Sequence, residues 1–193
     1  MTEDIFVRID FQNDFVHPKG ALTISAPELI LKHKDFIKKL KSKTFDKYFD
    51  TYDTHFKPTF PLTKEALSYP LHCVFKTWGW RNAAPFSSDI KVIKLYKSTT
   101  NLWNEKPQYT FLNQNFENTN VYLCGVLSEV CVKEALSGFL KQGACVYIIE
   151  DLCQGLNAQI KEVCHESFYQ KFKKEKKLHL ITSEELLHMK GIK

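Results

Sequence analysis

The sequence contains no long hydrophobic run, and its first residues, MTEDIFVRID, are acidic before a short apolar stretch begins. A membrane-spanning helix needs about 20 apolar residues, and a secretory signal begins with positive charge, so neither is predicted. We therefore expect a cytoplasmic protein that does not enter a membrane. The six cysteines are then expected to be reduced thiols, because disulfides persist mainly in exported proteins.

Arginine is also scarce, and the two arginines present, Arg8 and Arg81, lie outside the lysine-rich runs. The net charge of +5 comes mainly from lysines in KHKDFIKKLKSK (32–43) and YQKFKKEKKLH (169–179). No interleaved arginine, RNA-binding signature or zinc-finger spacing accompanies these runs. We interpret them as solvated helix faces, and no nucleic-acid partner is expected.

Composition and periodicity predict one α/β domain over residues 1–193. The chain is 44% hydrophobic and 25% charged, which is typical of a globular protein. Short apolar runs alternate with longer amphipathic ones, which favours a mostly parallel central sheet with helices on both faces, a Rossmann-like three-layer arrangement. The predicted strands are 4–10, 47–53, 89–97, 120–126, 144–151 and 177–182. The predicted helices are 26–43, 128–143, 157–175 and 183–190.

The segment between the second and third predicted strands, residues 54–88, has little periodicity and contains four of the seven prolines. A connection of this length inside a compact domain is usually functional. We therefore expect residues of this segment to contribute to a site.

Four chemically reactive side chains fall where predicted strands end. Asp10, Asp53 and Lys97 close the first three predicted strands, and Cys131 lies in the first turn of the helix after the fourth. In an open parallel sheet, ligands bind beyond the carboxyl ends of the strands. The four side chains are therefore expected to meet in one crevice.

Cys131 is predicted to lie in the first turn of a helix for which Ser128 is a plausible N-cap. The free N–H groups and the positive end of the helix dipole would lower the pKa of the thiol there and make it nucleophilic. They would also stabilise an oxyanion. A buried core thiol is the alternative, and the residue alone does not decide between them. The core interpretation is preferred for Cys124, Cys145, Cys153 and Cys164.

Asp10 follows apolar strand residues, where an unpaired carboxylate would be costly to bury. Lys97, at the end of VIKLYK, is the natural partner because it reaches the same crevice. Asp10 would take the proton of the thiol, and the lysine charge would stabilise the ions. The alternatives are a turn or helix cap for Asp10 and a solvated strand end for Lys97.

Together these residues resemble a family. IDFQNDFVHPKGAL (9–22), the strand-end lysine and GVLSEVCVKEALSGFLKQGACVYIIED (125–151) are similar to the isochorismatase-like cysteine hydrolases. The resemblance implies a catalytic triad of Asp10, Lys97 and Cys131. It also implies a cis peptide between Val126 and Leu127, and an oxyanion hole formed by the backbone N–H groups of Leu127 and Cys131.

Within that family, Asp53-Thr54-His55 and the later YPLHC (69–73) resemble the metal site of the nicotinamidases. Asp53 and His55 are two residues apart on an extended chain and point to one side, and His72 would be the third ligand. One carboxylate and two imidazoles suit one divalent metal ion, with zinc first and manganese or iron as alternatives. Taken alone, the three residues would also fit a turn cap and two ordinary histidines.

The same resemblance implies a pocket for a flat aromatic ring. Phe15 and Tyr69 would sandwich the ring, and Trp103 and Val126 would also contact it. Nicotinamide and pyrazinamide are the implied small-molecule substrates, and a homo-oligomer is compatible with the resemblance. Tyr69 stands where the family usually has tryptophan, and Leu127 replaces a small residue. These departures leave the chemistry intact but bear on the substrate range.

The resemblance thus implies an amidohydrolase that converts nicotinamide to nicotinate and ammonia, and two other functions fit the same sequence. A different amidase or hydrolase of the superfamily would keep the triad without needing Asp53, His55 and His72. A catalytically inactive binding protein on this fold would need none of these residues, and the presence of Asp10, Lys97 and Cys131 together argues against it.

Overall fold

The computed structural model describes residues 2–192, and its centre is one sheet of six parallel strands in the order β3-β2-β1-β4-β5-β6. The strands are β1 Glu3–Ile9, β2 Lys47–Asp53, β3 Val92–Lys97, β4 Thr119–Val126, β5 Cys145–Gln154 and β6 Leu178–Ile181. All six predicted strands are therefore confirmed, with β3 starting later and β5 ending later than expected.

Helices follow β1, β4, β5 and β6, whereas only short 3-10 turns lie between β2 and β3 and between β3 and β4 within the described residues. The helices are α1 Asn13–Val16, α2 Pro27–Lys39, α3 Lys133–Lys141, α4 Ile160–Val163, α5 Ser167–Lys174 and α6 Ser183–Met189. The predicted helix 157–175 is two helices, because Glu166 adopts an extended conformation with ψ 146° before α5. The predicted helix 128–143 also divides, into a π turn over Ser128–Val132 and α3.

The core lies on both faces of the sheet. Consecutive residues are fully buried in β1, as at Phe6 and Val7, and in β4, as at Leu123 and Cys124. Neighbouring side chains of a strand point to opposite faces of the sheet. Both faces are therefore covered, as expected for parallel strands connected by helices. The α/β prediction with a parallel central sheet is confirmed.

The strand order reverses between β1 and β4, which pair in register from Glu3 with Thr119 to Ile9 with Gly125. Gly125 has φ +123°, and a Cβ there would lie 2.1 Å from the carbonyl oxygen of Ile9. Only glycine fits this approach of the two strands. The crevice beyond their carboxyl ends is the position where such sheets bind ligands.

Within residues 2–192, no helix combines the length and apolar character needed to cross a membrane. All six cysteines are free thiols, and five of them are buried, whereas Cys145 is only half-buried.

Candidate active site

Asp10, Lys97 and Cys131 meet at the crevice between β1 and β4. The Nζ atom of Lys97 lies 2.8 Å from Oδ2 of Asp10 and 3.8 Å from Sγ of Cys131. It also donates to the carbonyl oxygen of Thr99 at 2.9 Å. All three side chains of the group are buried, so the lysine charge acts on both partners with little screening by water.

Asp10 is held by its backbone and by Thr51 of β2. It has φ 47°, a left-handed conformation that turns the chain sharply after β1. The hydroxyl of Thr51 accepts from the Asp10 N–H at 3.0 Å and donates to Oδ1 of Asp10 at 2.6 Å. Burial raises the pKa of this carboxyl. The positive charge of Lys97 lowers the pKa in part, and the negative charge of Asp53 raises it further. A carboxylate with a raised pKa is a better proton acceptor for a thiol.

The helical segment begins at Ser128 as expected, but Cys131 lies in the π turn rather than in the first turn of an α-helix, and Leu127 rather than Ser128 is the N-cap. The carbonyl of Leu127 accepts from the N–H groups of both Val130 and Val132 at 3.1 Å, and this pattern bypasses the N–H of Cys131. Ser128 makes no capping bond, and its hydroxyl is buried without a partner among the described residues. The expected cis peptide between Val126 and Leu127 is present.

The pKa of the Cys131 thiol is raised well above its usual range, contrary to the sequence expectation. Burial is the main cause, and it outweighs the positive charge of Lys97, while Asp10 raises the pKa further. Burial lowers the pKa of Lys97, but the negative charge of Asp10 outweighs burial and holds the pKa well above its usual range. The thiol is therefore protonated at neutral pH, and a base must take its proton before it attacks.

A second buried group lies beside the first. It contains one ligand atom from each of four residues, all within 4.8 Å of one another, and could hold a metal ion. The four are Asp53, His55, Glu65 and His72. Nε2 of His55 lies 3.1 Å from both Oδ2 of Asp53 and Oε2 of Glu65, and Nε2 of His72 lies 2.8 Å from Oδ2 of Asp53.

The hydrogen bonding of His72 indicates that this group fits a cation. Nδ1 of His72 lies 2.7 Å from the carbonyl oxygen of Pro70, which can only accept, so Nδ1 carries a hydrogen. In a neutral imidazole, Nε2 is then a bare acceptor facing the Asp53 carboxylate. Two acceptors repel at this distance unless His72 is protonated or a cation lies between them.

Unpaired oxygens and pKa shifts also indicate a strongly negative site. Oδ1 of Asp53 and Oε2 of Glu65 are buried without a hydrogen bond from the described residues. Burial lowers the pKa of His55, but Asp53 and Glu65 outweigh it and raise the pKa to about 9. Burial raises the pKa of Asp53, but Lys97 and both imidazoles hold it well below its usual range.

Sequence reasoning missed Glu65, which lies in a short 3-10 turn, Glu65–Leu67. A signal was available, since Glu65 is the only acidic residue in the segment 54–88 and lies between the two histidines. The other three predicted ligands are brought together as expected.

A cavity with about 370 Å³ of empty space, part of it open to solvent, connects the two groups. The predicted residues Phe15, Tyr69 and Val126 line it together with Asp53, His72 and Cys131. Residues that were not assigned to its wall also line it, namely Leu22, Glu65, Thr100, Leu127 and Val130. The ring centroids of Phe15 and Tyr69 lie 5.4 Å and 6.2 Å from that of His72.

The comparison with protein families agrees with this site. Residues 4–175 match the model of the isochorismatase domain, which is most of the chain. The chain belongs to the isochorismatase family. The predicted resemblance is therefore confirmed.

Among relatives in the family, a nicotinamidase of Saccharomyces cerevisiae is 26% identical over 166 residues, 65% of this chain and 76% of the relative. The structure of a Pyrococcus horikoshii pyrazinamidase in complex with zinc is 26% identical, covers 93% of this chain and 99% of its own, and has a TM-score of 0.71. These relatives and the family match confirm the expectation of an amidohydrolase of this family.

The fold is also shared with PnC1 of L. infantum, solved in complex with nicotinate. That structure is 22% identical, covers 95% of this chain and 94% of its own, and has a TM-score of 0.67.

Trp103, for which the resemblance implies a substrate contact, is not among the residues that line this cavity. Its indole Nε1 donates to the carbonyl oxygen of Glu134 at 3.2 Å, and its ring centroid lies 5.0 Å from that of Phe139. A 3-10 turn over Leu102–Glu105 carries the indole away from the crevice and against α3. Thr100 is the residue of this segment that reaches the cavity.

Proposed function

We propose that this protein is a metal-dependent nicotinamidase, which hydrolyses nicotinamide to nicotinate and ammonia in NAD salvage. The observation that carries the proposal is the single cavity that joins a buried Asp-Lys-Cys group to a buried group of two carboxylates and two imidazoles. The relatives support the substrate class, since one is a nicotinamidase and another a pyrazinamidase in complex with zinc.

The proposed cofactor is one divalent metal ion, most simply zinc, held by Asp53, His55, His72 and Glu65. Imidazole and carboxylate ligands suit zinc and also manganese or iron(II). The ion would supply an electrophilic position that binds the ring nitrogen of nicotinamide and so fixes the orientation of the substrate.

The aromatic walls of the cavity hold the ring of the substrate. Phe15 and Tyr69 both line the cavity and lie next to His72, so they offer aromatic surface to a planar ring near the ligand group. With its ring nitrogen at the ligand group, the substrate directs its carboxamide towards Cys131, which lines the same cavity. This placement brings the attacked carbon and the thiol together.

The first half-reaction forms a thioester. Asp10 takes the proton of Cys131, and Lys97, 3.8 Å from the sulfur, stabilises the thiolate. The thiolate attacks the carboxamide carbon, and the N–H groups of Leu127 and Cys131 bind the oxyanion. The C–N bond then breaks, and ammonia leaves with the proton that Asp10 returns.

The second half-reaction releases the acid. Asp10 takes a proton from a water molecule, whose oxygen attacks the thioester carbon. The C–S bond breaks, and the thiolate of Cys131 regains its proton from Asp10. Nicotinic acid leaves and releases its carboxyl proton to the solvent, which gives nicotinate. Lys97 stays charged throughout, because its pKa is held well above its usual range.

The proposal is tested by incubating the zinc-loaded protein with nicotinamide, with and without hydroxylamine. We expect equimolar nicotinate and ammonia, and in hydroxylamine a share of nicotinohydroxamate, because hydroxylamine competes with water for the thioester. Cys131→Ala should make neither product. Cys145→Ala, which removes a half-buried thiol outside the cavity, is the matched control. The absence of ammonia release from nicotinamide by the zinc-loaded protein would refute the proposal.

A further inference from the structure

Gln12 and Asp14 are buried polar residues to which the proposed reaction gives no role. Their exposed fractions are 0% and 7%, and both follow Asp10 closely in the sequence. Buried polar side chains are costly unless they are hydrogen bonded, so the groups that they bind indicate what they do. In both residues at least one of those groups belongs to the backbone at or next to a proposed metal ligand.

The side-chain amide of Gln12 pairs with the backbone of Asp53 in both directions. Its Nε2 donates to the carbonyl oxygen of Asp53 at 2.9 Å, and its Oε1 accepts from the N–H of Asp53 at 2.8 Å. The remaining Nε2 hydrogen is donated to the carbonyl oxygen of Trp80 at 2.9 Å. The main chain of Asp53 is therefore fixed on both sides of its side chain.

The carboxylate of Asp14 holds the turn that presents the histidines. Its Oδ2 accepts from the N–H of Cys73, the residue after His72, at 2.7 Å. Cys73 has φ 43°, a conformation that non-glycine residues adopt rarely and that needs external support. The carbonyl oxygen of Cys73 in turn accepts from the N–H of His55 at 3.1 Å. Two hydrogen bonds in series thus connect the Asp14 carboxylate to the backbone next to His72 and to the backbone of His55.

The Asp14 carboxylate is itself enclosed. Its Oδ1 accepts from the N–H of Ala21 at 3.0 Å, in the loop that carries the cavity residue Leu22. On its other side, a Cβ at Gly79 would lie 2.2 Å from the carboxylate. The backbone at Gly79 therefore packs directly on Asp14 and restricts its rotation.

We propose that Gln12 and Asp14 are positioning residues that preset the metal ligands, Gln12 acting through Asp53 and Asp14 through His72 and His55. This inference depends on the proposed function, since it assumes that these ligands bind a metal ion. Partners that orient metal ligands typically contribute about 10- to 100-fold to metal affinity. We expect that effect here although the hydrogen bonds go to the backbone.

The test is the zinc dissociation constant of the purified protein, measured by competition with a chromophoric chelator. Gln12→Met keeps the length of the side chain without its hydrogen bonds, and Asp14→Asn keeps the shape and replaces one acceptor by a donor. Each should weaken zinc binding about 10- to 100-fold. Asn13→Ala is the matched control, because Asn13 lies in the same segment but donates to the carbonyl oxygen of Trp78 on an exposed side.

The visible absorption of the Co²⁺-loaded protein separates positioning from a merely structural role. Displaced ligands change the band intensities, whereas a loss of stability alone lowers the unfolding temperature and leaves the spectrum unchanged. If Asp14→Asn does not fold, Gly79→Ala tests the same point, because its methyl group displaces the Asp14 carboxylate while Asp14 remains. Zinc affinity and Co²⁺ spectra equal to those of the unaltered protein would overturn the inference. If the unaltered protein does not bind zinc, both this inference and the proposed function are overturned.

Discussion

The ammonium nitrogen of Lys97 lies 3.7 Å from Oδ1 of Asp53, so the cation of the proposed catalytic group also faces the proposed metal group. The same nitrogen is 2.8 Å from Asp10. The side chains of Lys97, Asp10 and Asp53 are only 1%, 0% and 4% exposed, so one buried charge compensates two buried carboxylates. The stability of the metal-free protein and the chemistry of the thiol therefore depend on the same lysine.

We predict that Lys97→Met lowers the free energy of unfolding of the metal-free protein by about 3–5 kcal/mol, because it leaves buried carboxylates without a counter-charge. The double variant Lys97→Met/Asp10→Asn should recover part of this loss, since one carboxylate is then neutral. Urea denaturation of both proteins measures the difference. Equal stability of the single and double variants would show that Asp10 does not depend on Lys97.

The convergence of Asp10, Lys97 and Cys131 could be predicted from the sequence because it follows from topology. Each residue lies at the end of a strand or within five residues after it, the apolar residues of these strands are easily recognised, and parallel strands in one sheet bring their carboxyl ends to one edge. The prediction of β2 as residues 47–53 is confirmed as Lys47–Asp53, which places Asp53 at that edge.

The local geometry around Cys131 and Trp103 could not be predicted in the same way. A π turn differs from an α-helix by one residue in its hydrogen bonding, and the apolar pattern of Ser128–Val132 fits either. Burial, which sets the direction of the Cys131 pKa shift, arises from residues distant in sequence. The direction of the Trp103 side chain likewise depends on a short 3-10 turn and its packing on α3.

Glu65 is predicted to act as a fourth metal ligand, because Oε2 is buried, has no hydrogen-bond donor among the described residues, and lies 3.1 Å from Nε2 of His55. Glu65→Gln should weaken zinc binding at least about 10-fold, since a neutral amide is a poorer ligand. Glu175→Gln, at an exposed site, is the control. A titration with zinc that finds the same affinity for Glu65→Gln and the unaltered protein would exclude Glu65 as a ligand.

Tyr69 and Trp103 should differ in their effect on nicotinamide binding. Tyr69→Ala removes a wall of the cavity and should raise KM, because the substrate ring loses apolar contact. Trp103→Phe should leave KM unchanged, because the indole packs on α3 and does not line the cavity. Steady-state kinetics with nicotinamide measure both. A raised KM for Trp103→Phe with normal stability would return Trp103 to the substrate site.

The burial of His33 is expected to make the free energy of unfolding depend on pH, separately from catalysis. Burial lowers the pKa of His33 well below its usual value, while Nε2 donates to the carbonyl oxygen of Leu152 at 3.0 Å. The unfolded chain therefore takes up a proton at His33 below about pH 6.5, whereas the folded protein does not. Stability should fall with decreasing pH, and His33 contributes at most about 1.4 kcal/mol per pH unit.

Denaturation of the unaltered protein and of His33→Gln between pH 5 and 7.5 tests this expectation. Glutamine keeps a donor for Leu152 but does not titrate, so its stability should decline less steeply below pH 6.5. Parallel curves for the two proteins would show that His33 is not protonated on unfolding.

The most direct measurement of the central claim is ammonia release from nicotinamide by the same protein before and after removal of its metal. The zinc-loaded protein should be active, the protein stripped with a chelator should lose its activity, and restoring zinc should recover it. Zinc-loaded Cys131→Ala should be inactive while binding zinc normally. Full activity in the stripped protein, with less than one metal ion per hundred chains by elemental analysis, would contradict the account.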